Sequence, residues 1–139
     1  MKETEMPHNI TITSQDRRLL STMLEYAQTH GSERREYLHS LEAELERACE
    51  ADSTEVPSDV VTMDSTVELH DLDTGEIETY TVVYPNCADV VLNRVSVLAP
   101  IGTAILGCRV GDVIRVRVPS GHRRIRIEEI RFQPERASH

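Results

Sequence analysis

From Val113 to Phe132 the chain alternates so regularly that a pair of antiparallel strands is its natural fold. Val113-Ile-Arg-Val-Arg-Val118 and Arg123-Arg-Ile-Arg-Ile127 carry aliphatic side chains at every second position, with Pro119-Ser-Gly-His122 between them as a loop. Setting Val118 opposite Arg123 pairs Val116 with Ile125 and Ile114 with Ile127 on one face. It pairs Arg117 with Arg124 and Arg115 with Arg126 on the other. A slip of one residue would turn the isoleucines out to water. After Ile127 the alternation skips a step before Ile130 and Phe132, which predicts a β-bulge at Glu128-Glu129.

The stretch feeding this hairpin, Ser96 to Asp112, reads as strand, short helix, tight turn. Pro100 suits a first helical turn, where its missing N–H would have had no partner. Ile101, Ala104 and Ile105 then recur at helical spacing, and Gly107 can take the left-handed conformation that ends a helix. Upstream, Thr66 to His70 alternates, Asp71-Leu-Asp-Thr-Gly75 is a turn, and Glu76 to Tyr84 is the return strand. Asn86 to Asn93 carries no periodicity.

The first third of the chain is helical in pattern. Ile10 and Ile12 make a short alternating start. Thr13 with Asp16 resembles a capping box, with Asp in place of the usual Glu or Gln. Leu19, Leu20, Met23, Leu24 and Ala27 follow on one face. Gly31 stops this helix and Ser32 caps the next, along which Leu38, Leu41, Leu45 and Ala48 form a coiled-coil-like seam. Ser14 to Thr29 would extend about 24 Å at helical rise. Two such helices joined by a few residues make an antiparallel hairpin. The expected organisation is a helical hairpin over 1–50, a polar linker over 51–58, and a second domain over 59–139.

Charge excludes several function classes. The net charge of −9 argues against broad nucleic-acid binding, and no direct sequence-specific nucleic-acid binding is expected. Its distribution is uneven: Met1 to Ser65 holds 6 basic and 14 acidic side chains, whereas Arg109 to Arg136 holds 8 and 4. Such asymmetry steers association with a charged partner. No apolar run approaches a membrane span, so a soluble cytoplasmic protein is expected; a monomer is expected as well. Cys49, Cys87 and Cys108 are dispersed and odd in number, which suits neither a disulfide framework nor a zinc site. No phosphate loop, serine nucleophile motif or cysteine–histidine set is present, so no catalytic residues, metal site or cofactor are expected.

Pro100, Gly102, Ala104, Leu106, Gly107, Gly111 and Asp112 together resemble the C-terminal domain of the bacterial Gre transcript-cleavage factors. Asp59-Val-Val-Thr-Met-Asp-Ser65 and Val83-Tyr-Pro85 narrow the resemblance to the Rnk branch, regulators of nucleoside diphosphate kinase, over roughly Asp59 to Pro134. The resemblance implies an α+β fold: the helical hairpin, then an FKBP-like domain with a curved antiparallel sheet and one short helix. It also implies a regulator that binds RNA polymerase near the secondary channel. In Gre factors the acidic tip of a much longer coiled coil enters that channel and helps position the cleavage metal.

Three sets of residues carry the functional alternatives. Arg115, Arg117, Arg124 and Arg126 share one face and would repel unless neutralised. Either Glu68, Glu76 and Glu78 on the neighbouring hairpin pair with them, or the face docks an acidic partner. Glu33 and Glu36 at the helical tip are one turn apart and could assist a cation. Arg34 and Arg35 lie between them, so an ordinary acidic helix start is favoured over transcript cleavage. An FKBP-like prolyl isomerase would need an aromatic-lined pocket. This chain offers one Phe, Phe132, and Tyr26, Tyr37, Tyr80 and Tyr84. The expected reading is a polymerase-binding regulator that competes with Gre factors without cleavage, and not an enzyme.

Overall fold

A computed structural model describes residues 10–29, 35–119 and 121–137. The order of elements is β1 (Thr11–Thr13), α1 (Ser14–Thr29), α2 (Arg35–Arg47), β2 (Cys49–Ala51), β3 (Thr66–Asp71), β4 (Ile77–Val83), β5 (Arg94–Ser96), α3 (Pro100–Ile105), β6 (Val113–Val118), β7 (Gly121–Phe132) and α4 (Pro134–Ala137). A 3₁₀ turn covers Pro85–Cys87. The fold is mixed α+β.

The five-stranded sheet runs β5-β4-β3-β7-β6. It is antiparallel except at one edge, where β5 lies parallel to β4. Three-residue strands such as β5 leave no alternation to read in the sequence. A second, two-stranded ladder pairs β1 with β2 in parallel, Thr11 against Cys49 and Thr13 against Ala51. Both ends of the helical pair are thereby held together. The first turn of α1 also lies beside the last turn of α2, since the Arg17 guanidinium donates to the Leu45 carbonyl. The reach expected of α1, Ser14 to Thr29, coincides with the observed helix. Gly31 and Ser32, read as stop and cap, lie outside the described residues.

The β6–β7 register differs from expectation by two residues. Val118 faces Gly121, Val116 faces Arg123 and Ile114 faces Ile125. With Val118 facing Gly121, the register leaves two positions between the strands where four were expected. A shift of two keeps every side chain on its face, so Ile114, Val116, Ile125 and Ile127 remain buried. The bulge expected near Glu128-Glu129 is present: Leu69 faces Ile127 while Glu68 faces Glu129, leaving Glu128 as the extra residue. A second irregularity places Val67 opposite Ile130 and Thr66 opposite Phe132. Two such insertions in one strand bend it strongly.

One continuous core joins the helices to the sheet. Leu20, Leu24, Leu38, Leu41 and Leu45 from α1 and α2 cluster with Met63, Val67, Leu69, Val97, Ile105, Ile125 and Ile127. Leu19, expected on this buried face, is about half exposed. Gly102 lets α3 press onto the strand before it, for an added Cβ would sit 2.1 Å from the Ser96 carbonyl oxygen. Gly75 has φ +83° and open space around it.

These two glycines separate steric from conformational cost. Gly102→Ala should lower unfolding stability by about 1–3 kcal/mol through overpacking. Gly75→Ala should cost about 1–2 kcal/mol through its left-handed backbone alone. Urea midpoints of the two variants check this. An unchanged Gly102→Ala midpoint would mean that α3 does not pack so closely on Ser96.

Candidate functional site

The basic face lies on the outer side of β6 and β7. Arg115 and Arg124 stand directly opposite each other, Arg117 faces His122, and Val113 faces Arg126. The expected pairs of Arg117 with Arg124 and Arg115 with Arg126 are therefore corrected by the two-residue shift. Between the described residues of β6 and β7, Arg115 with Arg124 is the one like-charged pair directly across the strands.

Much of this charge has carboxylate partners, though not the expected ones. Asp73, from the turn between β3 and β4, accepts the Arg124 backbone N–H at 2.8 Å and its Nη2 at 3.1 Å. That backbone bond, with the guanidinium second, holds the Asp73 carboxyl below its ordinary range. Arg126 Nη2 donates to Glu128 at 2.9 Å, and His70 Nδ1 lies 3.2 Å from the same oxygen. The Arg126 bond first and His70 second lower Glu128. Arg126 also lies 3.1 Å from His70 Nδ1, which it can reach as a donor only when that nitrogen carries no proton. Of the three glutamates proposed as partners, Glu68 meets Arg131 at 3.5 Å and Glu78 accepts the Tyr80 hydroxyl at 2.8 Å. Exposed pairs of this kind contribute little to stability. Arg115 is exposed, and the side chain of Arg117 is not among those described.

The carboxylates of the helical tip cannot be placed in the same way. Glu33 lies outside the described residues. Glu36 belongs to the first turn of α2, with its side chain outside the description. Among the described residues, no three His, Cys, Asp or Glu side chains are placed to hold a metal ion. Cys49 and Cys87 are exposed, and burial pushes the Cys108 thiol up to about 12. Among the described side chains, the aromatic residues do not gather around one pocket. Tyr84 points its hydroxyl toward Asp16, Tyr80 toward Glu78, and Phe132 is nearly half exposed.

A polar joint between α1 and the sheet was not anticipated. Thr13 Oγ1 accepts the Asp16 N–H at 3.0 Å, which is half of a capping box. The Asp16 carboxylate takes up a different contact, accepting the Met63 N–H at 3.1 Å across 47 residues of chain. The signal was the Asp standing where a capping box has Glu or Gln.

Known proteins resemble this chain along most of its length. The family described as "Transcription elongation factor, GreA/GreB, C-term" matches residues 56–132, and the "Rnk N-terminus" family matches residues 8–49. The Regulator of nucleoside diphosphate kinase of Escherichia coli K12 is 42% identical over 99 residues, 70% of this chain and 73% of that protein. Transcription elongation factor GreA of Thermoanaerobacter pseudethanolicus is 40% identical over 66% of this chain and 59% of its own. Among solved structures, a transcription elongation factor GreA/GreB from Nitrosomonas europaea superposes with a TM-score of 0.73 at 38% identity, over 90% of this chain and 99% of that one. No helix among the described residues is long and apolar enough to cross a membrane. With a GreA/GreB-type C-terminal region, an Rnk-type N-terminal region and the motifs from Asp59 to Asp112 in order, the chain belongs to the GreA/GreB transcription elongation factor family, in its Rnk branch.

Proposed function

We propose that this protein binds RNA polymerase near the secondary channel, as an Rnk-type regulator, and competes with Gre factors without inducing transcript cleavage. The observation that carries this reading is the combination of a GreA/GreB-type body over residues 56–132 with helices of only 16 and 13 residues. The body is the part that docks. The helices form a short arm over 1–50, the segment 51–58 links it to the body, and the sheet with α3 against it is read as FKBP-like. An arm of about 24 Å is short beside the Gre coiled coil. Carboxylates assist a catalytic metal only within a few ångströms of it. A short arm therefore occupies the channel entrance and leaves the active site unassisted. The protein acts as a cytoplasmic monomer, and any effect on nucleoside diphosphate kinase passes through transcription.

The basic outer face of β6 and β7 is the docking surface in this reading. Asp73 and Glu128 hold Arg124 and Arg126 in fixed poses, so these guanidiniums are positioned before a partner arrives. Charge there sets approach rate and orientation more than affinity.

Three outcomes are expected. In a direct binding assay at low salt the protein binds core RNA polymerase, and excess Gre factor displaces it. Absence of binding would remove the proposal. Retention under saturating Gre factor would move the site elsewhere on the polymerase.

Replacing Arg115 and Arg126 by Glu should weaken that binding at least tenfold, with Tm within a few degrees of wild type, as expected for exposed charges. A collapse of Tm would mean that these arginines serve the fold.

Added to a backtracked elongation complex, the protein should release no cleavage product and should slow cleavage by a Gre factor. Glu33→Ala with Glu36→Ala should leave that inhibition intact. Cleavage that disappears in the double variant would place the tip at the active site.

A further inference from the structure

Asp16 is buried in the first turn of α1, with 8% of its surface exposed. Its Oδ2 accepts the Met63 N–H at 3.1 Å and its Oδ1 lies 3.4 Å from the Tyr84 hydroxyl. Met63 belongs to the buried segment between β2 and β3, and Tyr84 follows β4. One carboxyl group thus spans the helical unit and the sheet.

The charges around it are of the wrong sign for an ionised carboxylate. Asp64 approaches from the Met63 segment and Glu135 from α4. Arg94 on β5 acts on Asp64. Arg17, the next residue of α1, is turned to the Leu45 carbonyl and to Glu50. Among the described residues no cation forms an ion pair with Asp16. The Met63 N–H, the Tyr84 hydroxyl and Thr13 replace its water, beside two like charges. An ionised carboxylate is disfavoured in such a place.

We propose that Asp16 is a proton-operated catch: carrying a proton it holds α1 against the sheet, and on losing that proton it loosens the joint while the sheet stays folded. Protonated, the carboxyl still accepts the Met63 N–H and can donate to the Tyr84 oxygen. Ionised, it keeps both contacts but faces Glu135 and Asp64 without a counter-charge. Burial above all, with Glu135 and Asp64 adding, raises Asp16 from 3.8 to about 6, against the pull of the Met63 N–H and Thr13. The raised value sets the sign. Below about 4 both the closed and the loosened joint hold the proton, and the catch contributes fully. Between about 4 and 6 the loosened form ionises first and the closed form loses its advantage. Above about 6 that advantage is gone. The joint is therefore tight in mild acid and looser at neutral pH. Polymerase binding plays no part in this inference.

The test uses the full-length protein, with carbon-detected NMR of the Asp16 carboxyl from pH 4.5 to 8. Hydrogen exchange of Met63, Leu20 and Leu24 is followed alongside that of Leu69 and Ile127. Asp16 should titrate near 6. Protection of Met63 and α1, corrected for intrinsic exchange, should fall roughly tenfold between pH 5 and 7.5, with Leu69 and Ile127 steady. Asp16→Asn, neutral at every pH and still an acceptor for Met63, should hold the high protection throughout. Titration of Asp16 in the ordinary aspartate range would overturn the proposal, as would an Asp16→Asn protein with the wild-type pH profile. If that variant does not fold, the wild-type titration and exchange decide alone.

Discussion

The segment from Val60 to Ser65 is a buried piece of backbone outside any ladder strand, and the rest of the molecule is arranged to satisfy it. Val60, Val61, Thr62, Met63 and Ser65 are all essentially inaccessible to solvent. A buried peptide with unpaired N–H and C=O groups would be severely destabilising. Here several elements supply partners. Val61 N–H reaches the Cys108 carbonyl, and the Val61 carbonyl receives the Gly107 N–H. Met63 N–H goes to Asp16, Asp64 N–H to the Val82 carbonyl, and Thr62 N–H to the Ser65 hydroxyl. Gln133, itself buried, donates to the carbonyls of Pro57 and Val60. Helix, sheet, α3 turn and C-terminus therefore meet on six residues.

That convergence explains why the motif Asp59 to Ser65 was so informative as a sequence and so opaque as a structure. Apart from the Thr62–Ser65 bond, its partners lie far along the chain, 47 positions away at Asp16 and 73 at Gln133, which no local period encodes. Asp64 takes a positive φ of 69°, a conformation Asp tolerates better than most residues. The same reasoning accounts for Asp16. A capping position normally answers to its own helix, and a shorter acid there is free to serve a distant N–H instead.

Elsewhere the sequence was legible to the depth that periodicity allows. Alternation identified β3, β4, β6 and β7, and helical spacing located α1 and α3 within a residue or two. Alternation repeats every two residues, so it assigns faces but is blind to a shift of two. Ile114 opposite Ile125 and Ile114 opposite Ile127 look equally good from the sequence, and loop length broke the tie. The partners of the arginine face depended on that same shift. Asp73 sits in a turn that pattern reading treats as a connector, yet the turn carries it to Arg124. β1 showed only as the short alternation of Ile10 and Ile12, while β2 and β5, at three residues each, are held by neighbours and leave too few positions for a period to show.

The parallel pairing of β1 with β2 has a mechanical meaning. The chain enters and leaves the helical pair through adjacent strands, hydrogen-bonded over three residues. Force applied at the far end of α1 would then be shared by both strands, and any swing of the pair would turn about that ladder. With a lever of about 24 Å, a swing of only about ten degrees carries its far end roughly 4 Å. A displacement of that size, set by small adjustments at the fulcrum, is comparable to the diameter of a side chain.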